Sequence, residues 1–213
     1  ISACLVGSEM CIETAAANKV YDGNTTATTS ASLSGLVIGD TVNLASSGSF
    51  TDKNAAIGKT VNIVAGALSG TDAGNYTLSS SNTTTTANIS AKAITASGVN
   101  AQNKTYDGNT SATISGGTLN GVIGGDTVNL TSSGSFTDKN VANGKTVNIS
   151  NTLSGTDANN YSISNSTTTA NITAKGITGT ITAGNKVYDG NTTATTNGSV
   201  SYTHLRAHET GRN

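Results

Sequence analysis

Acidic side chains lie in short motifs whose composition could bind a cation. In Tyr21-Asp22-Gly23-Asn24 a carboxylate and an amide oxygen are two residues apart, and Asp40 adds a second carboxylate further along. Hard oxygen ligands of this kind suit calcium, which takes about 6–8 of them. An Asp-Gly pair is also typical of a tight turn, with the tyrosine packed beside it. Because no Asp-x-Asp-x-Asp pattern accompanies the motif, we interpret it as a turn and expect no metal ligands.

The inventory of catalytic side chains is short. Residues 15–199 contain no His, Cys, Glu or Arg. Acid–base catalysis by histidine and a Ser-His-Asp triad are therefore excluded within that range. The remaining charges are interpreted as solvated loop pairs, Asp52-Lys53 and Asp138-Lys139, and as edge or linker lysines, Lys92 and Lys175. We predict that the chain is not an enzyme and has no catalytic residues, no cofactor and no bound metal.

The two ends of the chain differ in composition from everything between them. The segments Cys4–Ile12 and Tyr202–Thr210 can be encoded by the opposite strands of one DNA sequence, which resembles a transposase-type sequencing adapter. We therefore predict that residues 1–14 and 200–213 are adapter-derived rather than native, and that the chain between them is an internal fragment. A disulfide or a Cys/His metal site drawn from these ends would then be an artefact.

The overall composition narrows the class of protein. The 213 residues include 25 Gly, no Pro and no Trp, with 11% charged residues and a net charge of −1. Polarity comes from Thr, which favours strands, and from Asn, Ser and Gly, which favour turns. This charge provides no basic surface for nucleic acid. No apolar run reaches the roughly 20 residues of a membrane-spanning helix. We expect neither nucleic acid binding nor membrane insertion.

The motifs recur in a fixed order. Lys19–Thr28 returns as Lys104–Thr113 and as Lys186–Thr195. Four further motifs occur twice each: Gly39–Leu44 with Gly125–Leu130, Ser47–Asn54 with Ser133–Asn140, Gly58–Ile63 with Gly144–Ile149, and Leu68–Ala73 with Leu153–Ala158. The sequence thus predicts one repeat at 15–96, a second at 97–181 and a truncated start of a third at 182–199. The third should pack poorly, since the strands that it would pair with are missing.

Within each repeat the apolar residues alternate with polar ones. Thr60-Val-Asn-Ile63 and Thr41-Val-Asn-Leu44 each place two apolar side chains on one face, as half-buried strands do. Six or seven short strands in roughly 80 residues predict an all-β chain of tandem, small, immunoglobulin-like antiparallel β-sandwiches. A β-solenoid or β-grasp arrangement is the alternative, although the repeat is long for a single coil. The segments Ala91–Thr95 and Ala174–Thr178 contain neither Pro nor a Gly/Ser linker, which predicts a stiff connection.

Several of these motifs together resemble a known family. Tyr21-Asp22-Gly23, with its copies at 106–108 and 188–190, is similar to the YDG-type repeat, as are Gly39-Asp40, Phe50 and Leu68–Tyr76. Such repeats occur in filamentous-haemagglutinin-like and other very large secreted bacterial proteins. The resemblance implies export to the bacterial cell surface and a part in an adhesin-like molecule, and it supplies no catalytic residues.

Two functions remain open at this point. In the first, the repeats are structural spacers of a secreted surface adhesin. Their partners would be neighbouring repeats of the same chain, and other regions would contact a host receptor, matrix or glycan. In the second, each repeat is a weak glycan- or receptor-binding module that gains avidity from repetition. Exposure of the recurring tyrosines distinguishes the two, because solvent-facing rings favour binding and buried rings favour a spacer.

Overall fold

The computed structural model describes residues 2–3, 12–78 and 82–200. The adapter-like segments fall largely on residues 1, 4–11 and 201–213, which lie outside the described residues. The described chain confirms the all-β prediction, with two 3₁₀ turns, Ala73–Asn75 and Ala158–Asn160. The strands are β1 (Ser2–Ala3), β2 (Ile12–Ala16), β3 (Lys19–Val20), β4 (Thr26–Ala27), β5 (Thr29–Leu33), β6 (Asn43–Phe50), β7 (Ala56–Ser69), β8 (Asn82–Ser90), β9 (Lys92–Ser97), β10 (Asn100–Ala101), β11 (Lys104–Thr105), β12 (Ser111–Ala112), β13 (Ile114–Ser115), β14 (Thr118–Asn120), β15 (Asn129–Phe136), β16 (Ala142–Ser154), β17 (Tyr161–Ile163), β18 (Ser166–Thr173), β19 (Gly179–Ala183) and β20 (Thr196–Val200).

The first set of motifs forms a five-stranded sheet in the order β3-β8-β7-β6-β4. Its alternation is the predicted one, because Val61 and Ile63 of β7 are buried while Thr60 and Asn62 between them are exposed. Phe50 lies opposite Val61 in the register of β6 and β7. The period of two thus places one face of this sheet against a thin apolar core.

The second set of motifs repeats this sheet strand for strand, in the order β11-β18-β16-β15-β12. Phe136 lies opposite Val147, as Phe50 lies opposite Val61. Both sheets also carry the same irregularity in their longest strand, between Ala56 and Lys59 in one and between Ala142 and Lys145 in the other. Equivalent sequences therefore produce sheets with the same strand order, although the pairing of β6 with β7 has a further shift between Leu44 and Ser46 that the pairing of β15 with β16 lacks.

The described residues also form smaller sheets. They have the orders β1-β2-β5, β10-β13, β14-β9-β17 and β19-β20. Gly48 of β6 lies directly beneath Thr29 of β5, and Gly134 of β15 lies beneath Ile114 of β13. A Cβ at either glycine would collide with that side chain, so glycine permits the close approach of the two layers.

Three strand pairs are parallel, which the alternation did not predict. They are β3 with β8, β11 with β18, and β9 with β17. In each five-stranded sheet the edge strand that comes first in the sequence, β3 or β11, pairs in parallel with the strand that comes last in the sequence, β8 or β18. Parallel strands need a long connection, and here most of the repeat provides it.

The two repeats share one core at their boundary. β8 ends at Ser90 and β9 begins at Lys92, so a single residue separates them. β9, at the end of the range predicted for the first repeat, pairs with β14 and β17 of the second set of motifs. Ile94 of β9 is buried in the same cluster as Tyr21 and Tyr161. A second cluster, Phe136, Val147, Ala170 and Ile172, lies in the second repeat alone.

The start of the third copy forms a hairpin with little packing. β19 and β20 pair with each other, and every side chain from 173 to 198 is exposed. The expected poor packing of this segment is thus confirmed. Among the described residues, no helix has the length and apolar character that a membrane crossing requires.

Candidate functional site

The Tyr-Asp-Gly-Asn turn is built around a lysine ammonium. Lys19 Nζ forms an ion pair with Asp22 at 2.7 Å and donates to the carbonyl and the side-chain oxygen of Asn24, both at 3.0 Å. Asp22 Oδ1 also accepts the backbone N–H of Asn24 at 3.1 Å. Burial is the largest single influence on Asp22 and opposes its ionisation, but the hydrogen bonds from Lys19 and Asn24 together with the Lys19 charge outweigh it and lower the pKa of Asp22. The ammonium also lies 5.7 Å from the ring centre of Phe50.

The other two copies of the turn are held in the same way. Lys104 pairs with Asp107 at 2.8 Å, and Lys186 pairs with Asp189 at 2.7 Å. In all three copies the lysine ammonium occupies the space among the Asp and Asn oxygens that a cation would use. Within the described ranges, no group of three or more His, Cys, Asp or Glu side chains could hold a metal ion. This arrangement explains the turn without any ligand.

The adjacent charges Asp52 and Lys53 do not act together. Asp52 pairs with Lys59 and accepts the backbone N–H of Asn54 at 2.8 Å. Lys53 instead reaches into the second repeat, where its ammonium lies 2.9 Å from Asp126 Oδ1. Neighbours in sequence thus have different partners, and one of the two belongs to a different site.

That site is the junction of the two repeats, and Asp126 is at its centre. Its carboxylate accepts hydrogen bonds from the hydroxyls of Tyr21 at 2.7 Å and Tyr161 at 2.6 Å, both at Oδ2. The two rings meet edge to face, with centroids 5.4 Å apart. Only 3% of the Asp126 side chain is exposed, whereas 40% of the Lys53 side chain is. One carboxylate therefore links three side chains from two repeats.

A turn and a 3₁₀ turn place the second repeat's half of this site. Asp126 donates its backbone N–H to the Ile123 carbonyl at 3.1 Å, and Ile123 donates its own to the Tyr161 hydroxyl at 3.0 Å. The 3₁₀ turn before Tyr161 follows Gly155, which has φ 116° and packs so tightly on the Thr127 carbonyl that no Cβ fits. The recurring Ser-Gly-Thr-Asp motif thus fixes the position of the tyrosine.

A second contact lies beside the first. Asn160 is only 3% exposed, and its Oδ1 accepts the backbone N–H of Ala55 at 2.8 Å. Its Nδ2 donates to Asn54 Oδ1 at 3.3 Å. Gly23 of the Tyr-Asp-Gly turn packs against Ile123. The first repeat therefore contributes both its Tyr-Asp-Gly turn and its Asp-Lys-Asn loop to the junction.

The charges at the junction reinforce one another. Hydrogen bonds from Tyr161, and then from Tyr21 and Lys53, outweigh burial and hold the pKa of Asp126 at about 2. Burial, followed by the hydrogen bond to Asp126, raises the pKa of Tyr161 to about 12. The same two causes raise the pKa of Tyr21, and the Asp126 carboxylate raises that of Lys53. Across the neutral range the site thus keeps one carboxylate, one ammonium and two neutral phenols.

Sequence reasoning singled out Tyr21 and Lys53, each in another role, but it did not single out Asp126 or Asn160 or predict that these residues meet. It treated Tyr21 as a packing residue, and it treated Lys53 as a solvated charge. It weighed Asp40 as a calcium ligand without considering Asp126, the equivalent residue of the second repeat. The Tyr21–Asp126 contact joins residues 105 positions apart. A tyrosine and an aspartate that recur at fixed positions were the available signal, but the signal does not say which copies pair.

Comparisons with known proteins bear on the repeats as units. No curated protein and no solved structure matches the chain. The YDG domain family matches it twice, over residues 9–86 and 90–170, and these ranges together cover well over half of the sequence. The two matched ranges contain most of the two five-stranded sheets and every residue of the junction described above. The chain therefore belongs to the YDG domain family, of which it carries two tandem copies.

Proposed function

We propose that the repeats are structural spacer units in the stalk of a secreted bacterial surface adhesin. Joined in series, they would hold a distal binding region away from the cell. Their partners in this role are the neighbouring repeats, and no substrate or turnover is involved. The resemblance of the repeated motifs to those of filamentous-haemagglutinin-like proteins supports the class and the location.

The observation that carries this proposal is the junction. A flexible array would have a polar linker between its domains, but here one residue separates β8 from β9. The apolar cluster of the first repeat includes Ile94 of β9 and continues into the second repeat through Tyr161. A buried carboxylate then bonds to Tyr21 and Lys53 of the other repeat. Such a joint favours a fixed angle between repeats, which a spacer requires.

The strand order within a repeat also suits a molecule under tension. β3 and β8 are parallel neighbours, and the Tyr21 N–H extends their pairing by donating to the Ser90 carbonyl at 2.9 Å. The chain enters the five-stranded sheet along β3 and leaves it along β8. A pull on the two ends therefore loads these hydrogen bonds in shear, so that they must break together. We further propose that each repeat is a small immunoglobulin-like sandwich, with the five-stranded sheet facing the smaller one.

Tyrosine burial argues against the rival function. Tyr21 and Tyr161 form part of the core, and Tyr76 and Tyr106 are half-buried. Carbohydrate sites use exposed aromatic faces, and stacked, solvent-facing rings would have favoured that role. The two matched repeats instead use their recurring tyrosines for packing and for hydrogen bonds, whereas Tyr188, which lies beyond them, is exposed.

Surface display tests the spacer role. The intact chain is placed between a membrane anchor and an epitope tag on a bacterium that carries a thick polysaccharide layer. The control replaces the chain with a Gly/Ser segment of equal length, whose mean reach grows only as about 5–6 Å × √n. We expect antibody to bind the tag several-fold better with the repeats than with this flexible segment. Equal binding would contradict the spacer role.

A binding assay separates the rival function. The free chain is applied to arrays of glycans and extracellular-matrix proteins, and we expect no saturable binding. Saturable binding that survives Asp126→Asn, a change at the junction alone, would favour the second hypothesis of weak binding modules whose strength comes from repetition.

A further inference from the structure

We propose that each repeat carries both halves of the junction, and that the two halves that no other repeat occupies within the described part of the chain bind further copies of the same repeat. The acceptor end of the first repeat consists of Val37, Asp40, Asn75 and Tyr76. The donor end of the second repeat consists of Tyr106, Lys139, Asn140 and Val141. The acceptor-end residues correspond, in order, to Ile123, Asp126, Asn160 and Tyr161 of the occupied junction. The donor-end residues correspond, in order, to Tyr21, Lys53, Asn54 and Ala55 of that junction.

The acceptor end is already built in the absence of a partner. The Tyr76 hydroxyl donates to Asp40 Oδ2 at 2.7 Å and accepts the Val37 N–H at 3.0 Å. The equivalent bonds at the occupied junction measure 2.6 Å and 3.0 Å. Asp72 accepts the Thr41 N–H at 2.8 Å, as Asp157 accepts that of Thr127 at 2.9 Å. A partner would therefore meet a preorganised surface, which reduces the entropy lost on binding.

Exposure shows what the acceptor end lacks. Asn75 is exposed, whereas its counterpart Asn160 is 3% exposed and bonded across the junction. Tyr76 is half-buried, whereas Tyr161 is buried. Val37 is 65% exposed, whereas its counterpart Ile123 packs against Gly23 of the other repeat. An apolar side chain and an amide thus face solvent at positions that the occupied junction covers.

The donor end is formed and uncovered in the same way. The Tyr106 N–H donates to the Thr173 carbonyl at 2.8 Å, matching the bond from Tyr21 to Ser90 at 2.9 Å. The Lys104 turn beneath it has the same contacts as the Lys19 turn. Lys139 and Asn140 are exposed, and Val141 is 53% exposed. An ammonium, a phenol and an apolar side chain are therefore presented in the arrangement that fits the acceptor end.

The chemistry of the two ends selects the occupant. The acceptor end offers one carboxylate between apolar side chains, and the donor end offers a cation and a hydroxyl donor beside another apolar side chain. The surfaces lie on different parts of the repeat, so the contact is heterologous and propagates head to tail instead of closing into a dimer. The occupant of each end is thus the opposite end of another copy. This inference is independent of the proposed spacer role, because the ends would pair whatever the array holds.

Cysteine trapping between separate molecules of the intact chain tests the inference. All variants carry Cys4→Ser and Cys11→Ser. The test variant adds Asn75→Cys and Asn140→Cys, one on each unused end. The positive control adds Asn54→Cys and Asn160→Cys, the equivalent pair within the occupied junction. The negative control adds Thr84→Cys and Thr167→Cys, two exposed positions on sheet strands outside the junction.

Oxidation should convert the test variant into a ladder of linear multimers roughly tenfold faster than the negative control, because docking raises the local thiol concentration. Adding Asp40→Asn and Lys139→Met should slow the ladder to the rate of the negative control. If the positive control closes while the test variant is no faster than the negative control, the inference is wrong. A ladder that Asp40→Asn and Lys139→Met leave unchanged also overturns it.

A measurement without cysteines covers the case in which the positive control fails to oxidise. Sedimentation velocity of the chain with only Cys4→Ser and Cys11→Ser is followed up to about 1 mM, near the effective concentration that a short tether provides. We expect the average sedimentation coefficient to rise with concentration, and we expect Asp40→Asn to remove the rise. A coefficient that stays constant, or a rise that Asp40→Asn does not affect, contradicts head-to-tail pairing.

Discussion

The three copies of the Lys-x-Tyr-Asp-Gly-Asn turn differ in their surroundings and hardly at all in their internal contacts. Each lysine bonds to the Asp and Asn of its own turn. The tyrosine, however, is 2% exposed at Tyr21, half-buried at Tyr106 and 93% exposed at Tyr188. The turn is therefore a local structure that any copy can form. Burial of its tyrosine depends on a neighbouring repeat.

The connecting segments show the same contrast. Ala91–Thr95 and Ala174–Thr178 differ at one position, where Gly176 replaces Ala93. In the first segment Lys92–Ser97 is a strand, because β14 and β17 lie on either side to pair with it, and Ile94 is 5% exposed. The second segment has no regular structure in residues 174–178, and Ile177 is 64% exposed. Nearly the same sequence is thus a strand only where the rest of its repeat is present.

The largest effect on stability is expected when the carboxylate of the occupied junction is removed. Asp126→Ala leaves two buried phenols and one ammonium without their acceptor, and breaking a buried charged network costs about 3 kcal/mol. The matched change Asp40→Ala removes only the Tyr76 hydrogen bond at a partly exposed site, for about 1 kcal/mol. Urea unfolding followed by circular dichroism measures both. Equal losses would show that the junction adds nothing to the repeat.

Much of the fold could be predicted from local pattern. The alternation in Thr60–Ile63 gave strands with Val61 and Ile63 inside, and the recurrence of the motifs gave two equivalent sheets. Both signals depend on residues close in sequence or on copies of one another. Pairing of β3 with β8 and of β9 with β17 depends on segments far apart, for which alternation carries no information.

The candidate site was predictable only in part, for the same reason. Tyr21 and Lys53 were visible as recurring residues, but their shared partner is Asp126 in the other repeat. A sequence with repeats allows each tyrosine to bond within its own copy or across to the next. The structure shows both at once, since Tyr161 bonds within its own copy and Tyr21 bonds across. Only the packing of the two sheets decides which contact each residue makes.

The next test follows, as a function of pH, the difference in unfolding free energy between the chain and its Asp126→Asn variant. The pKa of Asp126 is depressed to about 2, so its contribution is complete above the unfolded value near 4 and is lost as pH falls towards 2. The raised pKa of Tyr161, about 12, adds a contribution that is complete below pH 10 and is lost as pH rises towards 12. We expect a constant difference in unfolding free energy between about pH 5 and pH 9.

Comparison with this variant is needed because other carboxylates also respond to acid. The pKa values of Asp22, Asp52 and Asp138 are lowered by lysine partners as well, but these pairs are intact in both proteins. Subtracting one unfolding curve from the other therefore isolates the junction. A difference that already shrinks between pH 7 and pH 5 would show that Asp126 is not held as described.

A smaller effect is expected from removing one hydroxyl. Tyr21→Phe keeps the ring contact with Tyr161 but removes one hydrogen bond to a carboxylate, for a loss of about 1 kcal/mol. Tyr106→Phe, at the equivalent but unoccupied position, should change stability by less than about 0.5 kcal/mol. A double-mutant cycle of Tyr21→Phe with Asp126→Asn should give a coupling of similar size to the single loss. Additive losses would mean that the hydroxyl and the carboxylate do not interact.

The smallest expected effect is a difference in stability between substitutions of Lys53 and of its counterpart Lys139. Lys53→Met removes an ammonium that bonds to a buried carboxylate but is itself 40% exposed, so we expect a small loss of stability, measurable only at low salt. About 1 M NaCl should remove most of this loss by screening. Lys139→Met, on the unoccupied donor end, should change the free energy of unfolding by nothing measurable at either salt concentration. If both substitutions behave alike, the Lys53–Asp126 pair does not stabilise the junction, and the tyrosines and Asn160 hold the repeats together without it.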